Sequence, residues 1–320
     1  MIELRAISKK FGNTAAVSDL SLKVETGEHL VLLGTSGCGK TTTLKMINRL
    51  IEPDGGQVLI NGTDVTQDQP EQLRRRIGYV MQNTGLFPHY TIAENIAVVP
   101  KLLKWPEERI GNRIGELLEK LHLPASCLNL YPHELSGGQQ QRVGLARALV
   151  SDPDILLMDE PFGALDNVTR ASIQEEFKGL DELKRKTIVM VTHDVQEAFE
   201  LGDRICLMDK GRIVQIGAPK ELLYKPANAF VKAFLDGQRL ALEFKLVKLQ
   251  DIQEYLPQHK SIQDAVPVEK DFSVWIAMEL LSTSAVKQLK FGASDQESRI
   301  FDANDLSQAF NQFQQSGRYE

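Results

Sequence analysis

Cysteine is scarce in this 320-residue chain: Cys38, Cys127 and Cys206 are its three. An odd number without metal-type spacing argues against a disulfide framework and a zinc site, and fits a reducing compartment. Long apolar runs are missing too, since no stretch approaches the roughly 18 to 20 residues a bilayer span needs. The opening Met1-Ile2-Glu3-Leu4-Arg5 alternates like a strand and does not form the apolar block of a secretion signal. A chain neither secreted nor membrane-spanning is expected. Nor is there an excess of positive charge. Lys plus Arg number 37 against 43 Asp plus Glu, a net charge of -6, so no nucleic-acid partner is expected.

Hydrophobic residues make up 42% of the chain, enough for a substantial core. Short β-branched apolar runs at 30–33, 77–81, 155–158, 187–192 and 204–208 read as buried strands, several leading into helical patterns. That alternation predicts an α/β fold with a largely parallel sheet. Ile2-Leu4-Ala6, Leu20-Leu22-Val24 and Val58-Ile60 instead show period-2 patterning with glycines between them, which predicts a small antiparallel sheet. From Pro106 to Val150 the spacing of Ile110, Ile114, Leu117, Leu118 and Leu121 predicts an inserted helical subdomain. Composition changes after Gly237, which places a boundary between domains 1–236 and 237–320.

Gly34-Thr35-Ser36-Gly37-Cys38-Gly39-Lys40-Thr41 matches G-x-x-x-x-G-K-[ST], with an apolar strand before it and a helical stretch from Thr42 after it. The candidates to hold a nucleoside triphosphate are Gly34, Ser36, Gly37, Cys38, Gly39, Lys40, Thr41 and Thr42. Glycines let backbone N–H groups turn inward around phosphate oxygens, Lys40 adds a full positive charge, and the Thr41 hydroxyl can ligate Mg²⁺. Cys38 sits in the same anion-binding nest, where a thiolate would be favoured, although an ordinary small loop residue also fits.

Ile155-Leu156-Leu157-Met158-Asp159-Glu160 is an apolar strand closed by two carboxylates. Asp159 would reach the metal, and Glu160 would lie beside the γ-phosphate to polarise water. Such a pair also occurs as a helix-capping turn. Leu135-Ser136-Gly137-Gly138-Gln139 decides between them: it is a second Ser/Gly nest before a helical stretch, 140–150, in a chain that already has one. One phosphate group does not need two cradles from one chain. A head-to-tail homodimer, each signature capping the nucleotide on its partner's loop, explains the pair.

On these motifs residues 1 to 236 resemble the ABC-transporter ATPases. The phosphate loop, the signature and the Asp159-Glu160 strand stand in that family's order, together with Gln82 after a strand, Ala164-Leu165-Asp166, and Thr192-His193-Asp194. The resemblance implies that Gln82 ligates Mg²⁺ and signals to a membrane partner, Asp166 links the two sites, and His193 contacts the γ-phosphate. Phe11 matches the family's adenine-stacking aromatic; a core position is the other reading. Asn48-Arg49-Leu50-Ile51-Glu52-Pro53, the stretch 85–96 and Val99-Pro100-Lys101-Leu102-Leu103-Lys104-Trp105-Pro106-Glu107 are similar to the ATP-binding subunits of bacterial osmoprotectant importers, which carry glycine betaine, carnitine or choline. Relatives usually have Pro where Asn167 stands, and Asn tolerates the same turn.

The implied function is the ATPase motor of such an importer, on the cytoplasmic face of the cell membrane. Its partners would be transmembrane permease subunits and, indirectly, a substrate-binding protein. Leu86, Phe87, Pro88 and Tyr90, just after Gln82, suit a groove for a permease helix; subdomain core is the competing use for Leu86 and Phe87. A soluble ABC ATPase of DNA repair or translation would carry a long coiled coil or two cassettes, and neither is present. A regulator without turnover would lack Glu160 or His193. In the tail, Val274, Ala277, Met278 and Leu281 predict a helix, 286–291 and 299–301 two strands around a polar turn, and Leu306, Ala309, Phe310 and Phe313 a second helix. That order is similar to one cystathionine-β-synthase-type (CBS) module, with Asp305-Leu306 starting the second helix. Asp302 stands where Thr is usual, and its charge would repel a bound phosphate. A regulatory tail that pairs with its copy and responds to ionic conditions is one reading; a structural cap is the other.

Overall fold

The computed structural model describes residues 2–258, 265–283, 286–292 and 298–316. They fall into two compact units, Met1–Pro219 and Lys220–Glu320. The first contains, in order, β1 (Ile2–Phe11), β2 (Thr14–Val24), β3 (His29–Gly34), α1 (Lys40–Ile47), β4 (Gly55–Ile60), β5 (Thr63–Asp64), α2 (Pro70–Arg75), β6 (Ile77–Val80), α3 (Ile92–Leu102), α4 (Glu107–Lys120), α5 (Gly137–Leu149), β7 (Ile155–Asp159), α6 (Asn167–Gly179), β8 (Thr187–Val191), α7 (Val195–Leu201), β9 (Arg204–Asp209) and β10 (Arg212–Gly217).

Among the described residues the main sheet has six strands in the order β10-β9-β3-β8-β7-β6. β9, β3, β8, β7 and β6 run parallel, and β10 adds antiparallel to β9 at one edge. β7 and β8 are buried along their whole length, because both faces of a parallel sheet are covered; this is why they read as unbroken apolar runs. Parallel strands end on the same side, so the loops after β3, β7 and β8 are brought together, and open α/β sheets bind ligands at that edge.

The second sheet, β2-β1-β4-β5, is antiparallel as the alternation predicts. The alternation fails at Ala6. That residue has φ 49° and is exposed, the β1–β2 register shifts between Leu4 and Ile7, and Ile7 takes the buried place. Gly56 backs this bulge at φ 82°. A Cβ there would stand 2.4 Å from the carbonyl oxygens of both Arg5 and Ala6, so only glycine fits.

The helical subdomain starts earlier than Pro106. α3 opens at Ile92 behind a capping box in which Thr91 and Glu94 bond each other's backbone N–H. Its last turns hold Val98, Val99 and Pro100, poor helix formers that mask it in sequence. α4 buries Ile110, Ile114, Leu117 and Leu118, the stripe its spacing predicts.

From α8 (Pro219–Tyr224) the chain continues through α9 (Ala229–Asp236), α10 (Arg239–Leu246), β11 (Val266–Pro267), α11 (Val274–Ser282), β12 (Leu289–Phe291), β13 (Arg299–Phe301) and α12 (Ala303–Gln315). β11 pairs parallel with β12, and β12 antiparallel with β13. Val247, Leu249, Val274, Leu289, Phe301, Leu306 and Phe310 share one core. Phe244 stacks on Phe310 at 4.5 Å, and buried Glu243 is held by Arg239 and Gln314. Helix, strand, strand, helix is the order the spacing predicts. The polar turn between the strands lies largely outside the described residues. The unit begins ahead of Gly237, which is no linker: it has helical φ/ψ and caps α9 one residue before Gln238 caps α10.

Candidate nucleotide site

The phosphate loop leaves β3 at Gly34 and enters α1 at Lys40. Gly39 caps α1 in the left-handed conformation, φ 104°, and a Cβ there would lie 2.3 Å from the carbonyl oxygen of Ala16. Lys40 is buried, and its Nζ donates to the carbonyl oxygens of Gly34 at 2.8 Å and Thr35 at 2.9 Å. Both acceptors are neutral, so the cation is positioned at the loop without a formal counter-charge in these bonds. Cys38 departs from expectation. Burial pushes its thiol up despite Lys40 Nζ 3.8 Å from Sγ, so desolvation outweighs the nest and a thiolate is disfavoured. Its backbone N–H is turned back onto the Thr35 carbonyl at 3.3 Å.

Thr41, in the first turn of α1, donates from Oγ1 to Asp159 Oδ1 at 2.7 Å, joining the start of α1 to the end of β7. Asp159 is buried, and that burial raises its pKa while the Thr41 hydroxyl opposes the shift. Tyr79 of β6 lies beside it; its phenol is pushed up first by burial and then by the Asp159 charge. Hydroxyl and carboxylate oxygens, with the amide oxygen of Gln82 nearby in the cleft, are hard donors of the kind Mg²⁺ takes when phosphates complete its shell.

Glu160 follows β7 with φ 45°, a left-handed conformation rare outside glycine. Its N–H bonds the Val191 carbonyl at 2.9 Å, which ties it to the end of β8. Its two carboxylate oxygens are each engaged: Oε2 accepts from Gln82 Nε2 at 3.0 Å, and Oε1 lies 3.3 Å from His193 Nδ1. Three residues distant in sequence thus meet at one carboxylate.

A cleft of about 480 Å³ is lined by Ser36, Gly37, Gly39, Lys40, Thr41, Thr42, Gln82, Glu160 and His193, with Ala16 of β2. Gly34, Cys38 and Asp159 do not line it. Phe11 is also outside the lining, but it is 52% exposed at the end of β1, which rules out the core alternative. Ser136, Gly137, Gly138 and Gln139 are outside as well. They form the start of α5 itself, which begins at Gly137 and not at Gln140. Ser136 and Gln139 close a capping box at 3.0 and 3.3 Å, leaving the Gly137 and Gly138 N–H groups without an intrahelical acceptor. Asp166 caps α6 through the N–H groups of Val168 and Thr169. The side chain of Asn167 lies outside the described residues.

Four residues escaped the sequence reading. Arg147 of α5 donates to the carbonyls of Thr84 and Gly85, both at 2.7 Å, linking the signature helix to the segment after Gln82. Asn95 clamps the loop 87–91. Arg170 and Glu197 lie behind Asp166 and His193. None belongs to a short motif, and on one sequence a charged or amide residue in a helix reads as a solvated face.

The sequence profile of the ABC transporter family matches residues 17–163. The chain is 54% identical over 241 residues to a glycine betaine/carnitine/choline transport ATP-binding protein, OpuCA, of Bacillus subtilis (strain 168), covering 75% of this chain and 63% of that one. It thus spans less than two thirds of that relative's length. To a glycine betaine uptake system ATP-binding protein, YehX, of Escherichia coli (strain K12), it is 50% identical over 80% of this chain and 82% of the relative. Among solved structures it is similar to the dimeric, post-hydrolysis ATP-binding cassette MJ0796 bound to ADP and Pi, with TM-score 0.61, 34% identity, and coverage of 68% and 98%. A half-identical relative covered over four fifths of its length, with the motif residues gathered at one sheet edge, leaves one assignment: the chain belongs to the ABC transporter family of ATP-binding proteins.

Proposed function

We propose that the chain is the ATP-hydrolysing motor subunit of an ABC importer for glycine betaine, choline, carnitine or a related osmoprotectant. The observation that carries this is the meeting of Thr41 with Asp159, and of Glu160 with Gln82 and His193, around one phosphate loop. Lys40 would exchange its loop carbonyls for phosphate oxygens, joined by the first amides of α1. Thr41, Asp159 and Gln82 would hold Mg²⁺, which supplies charge neutralisation at the phosphates when bound. Glu160 would orient a water and take its proton, while His193 contacts the γ-phosphate. Phe11 is exposed for stacking on adenine, a contact worth about 1 to 3 kcal/mol.

Signature residues outside their own chain's cleft support a head-to-tail homodimer in which Ser136 to Gln139 of a second copy cap the nucleotide and Asp166 links the sites. Phe87 and Tyr90, 42% and 43% exposed with rings 5.3 Å apart, favour the segment after Gln82 as the place where a permease helix docks. Among the described residues no helix is long and apolar enough to cross a membrane, so contact with the membrane's cytoplasmic face would run through that permease. A substrate-binding protein would meet the solute. The names of the relatives support this cargo class.

For the tail, the helix-strand-strand-helix order supports a single degenerate CBS-type regulatory domain. Asp302 serves there as the N-cap of α12, accepting from Asn304 and Asp305 N–H groups, an internal role in place of phosphate recognition. Pairing of this domain with its copy would let ionic strength act on transport.

Hydrolysis of Mg-ATP by the purified chain and its Glu160→Gln variant tests the proposal. Turnover should fall about 10²-fold or more with nucleotide affinity retained. Wild-type turnover in the variant would refute the role of Glu160 and the reading built on it.

A further inference from the structure

Arg170 and Glu197 take no direct part in the chemistry above, yet each carries a buried polar atom without a hydrogen-bond partner: Nε of Arg170 and Oε1 of Glu197. Groups of this kind are uncommon in a folded core and call for a cause. Glu197, 5% exposed, lies in the first turn of α7. Its Oε2 accepts from Thr192 Oγ1 at 2.5 Å, and that hydroxyl oxygen accepts the Asp194 N–H at 3.0 Å. Thr192 and Asp194 are the two neighbours of His193, so Glu197 holds the His193 turn from behind.

Arg170 stands in the first turn of α6, after Asp166. Its Nη2 donates to the Leu165 carbonyl at 3.0 Å, and its Nη1 lies 3.7 Å from Asp194 Oδ2. One guanidinium therefore touches the segment that carries Asp166 and the residue that follows His193. The ionisable groups acting on Glu197 are Asp194 from its own turn, Glu160 from the end of β7, and Arg170 from α6. Burial raises its carboxyl first, the two acids raise it further, and Arg170 is the group among these three that favours the charged form.

We propose that Arg170 and Glu197 are a pair of positioning residues for ATP hydrolysis: Arg170 turns its unpartnered Nε–H onto Glu197 when a second subunit engages the Asp166 segment, and Thr192 carries the shift to His193. The inference rests on the ATP-driven dimer of the proposed function. It accounts for both unpartnered atoms with a single rotation, and it routes contact at one loop to the γ-phosphate side of the cleft although neither Arg170 nor Glu197 touches nucleotide.

The test compares the full chain with Glu197→Gln, Arg170→Lys and the double variant in Mg-ATP hydrolysis, with sizing in ATP. Lys keeps the charge of Arg170 but not its fork. Each single variant should lose about 10- to 100-fold in kcat. KM for ATP should stay within roughly twofold, because the ground-state contacts are untouched. The double variant should be no slower than the slower single, since one link is broken in either case. Unchanged kcat in both singles, losses that multiply in the double, or a rise in KM matching the fall in kcat would overturn the pair. If Glu197→Gln does not fold, the kcat and KM of Arg170→Lys decide alone. A wild-type chain that neither hydrolyses ATP nor associates in its presence would overturn the parent reading, an outcome separate from any difference among the variants.

Discussion

Asn95 holds the segment proposed to meet the permease, and its removal can be costed from the structure. The side chain is 0% exposed. Its Oδ1 accepts the Phe87 N–H at 2.8 Å, and its Nδ2 lies 3.1, 3.1 and 3.0 Å from the carbonyl oxygens of Phe87, Tyr90 and Thr91. An amide has two N–H donors, so three acceptors share them, and Asn95→Ala deletes about three effective hydrogen bonds at about 1 kcal/mol each. The bonds to the Phe87 and Tyr90 carbonyls are only part-buried, so water can replace some of what is lost, which lowers the expected loss to about 2 kcal/mol. Urea unfolding should show that loss as a lower midpoint with an unchanged slope. Asn95→Asp should cost more, because it keeps the acceptor for Phe87 but sets a carboxylate among three carbonyl oxygens. A loss below about 0.5 kcal/mol for Ala, or an Asp variant more stable than Ala, would refute the clamp.

Further outcomes follow from the same geometry. Lys40→Ala should weaken ATP binding roughly 10- to 100-fold in a nucleotide titration, since a charge-assisted bond to phosphate is lost; unchanged affinity would remove Lys40 from the site. Phe87→Ala or Tyr90→Ala should weaken permease docking by about 2 kcal/mol and uncouple transport, while ATPase of the free subunit persists; parallel loss of both activities would favour a packing role. Burial raises Glu197 from its ordinary 4.5 to about 7, so the folded chain keeps a proton that the unfolded chain releases. Its contribution to stability is therefore present below 4.5 and lost as pH rises towards 7. Glu197→Gln should abolish a loss of up to about 3 kcal/mol across that window, and denaturation curves that fall equally steeply for both proteins would contradict it.

Where sequence patterns reflect one local cause, they were legible. β7 and β8 are apolar because both faces are covered, and Gly39 is glycine because its φ and its approach to Ala16 demand it. Asp159 at the end of β7, Glu160 just after it and Lys40 after β3 read as candidates for phosphate and metal chemistry from their motifs, with the signature at 135–139 deciding for the two acids. Features built by tertiary contact were not legible. The bulge at Ala6 depends on Gly56 of another strand, and α3 depends on a capping box that offsets Val98, Val99 and Pro100. The thiolate expected at Cys38 is disfavoured, which leaves the ordinary loop residue, because the loop's positive field is visible in sequence while its burial is not. Arg147, Arg170 and Glu197 act across elements, and no spacing rule on one sequence joins α6 to α7 or α5 to the segment after Gln82.

In the proposed dimer two copies share their nucleotides, each cleft completed by the other chain's signature. Sizing of Glu160→Gln with Mg-ATP and with Mg-ADP tests it most directly, because blocked hydrolysis holds the closed state. A dimer is expected in ATP and a monomer or weak associate in ADP, because the Gly137 and Gly138 N–H groups gain an anion only from a γ-phosphate. Adding Gly137→Asp to Glu160→Gln should abolish the dimer, because a Cβ at Gly137 meets nothing within 4 Å and the new carboxylate would repel the phosphate at that helix start. Equal elution in ATP and ADP, or a dimer that survives Gly137→Asp, would rule out the shared nucleotide.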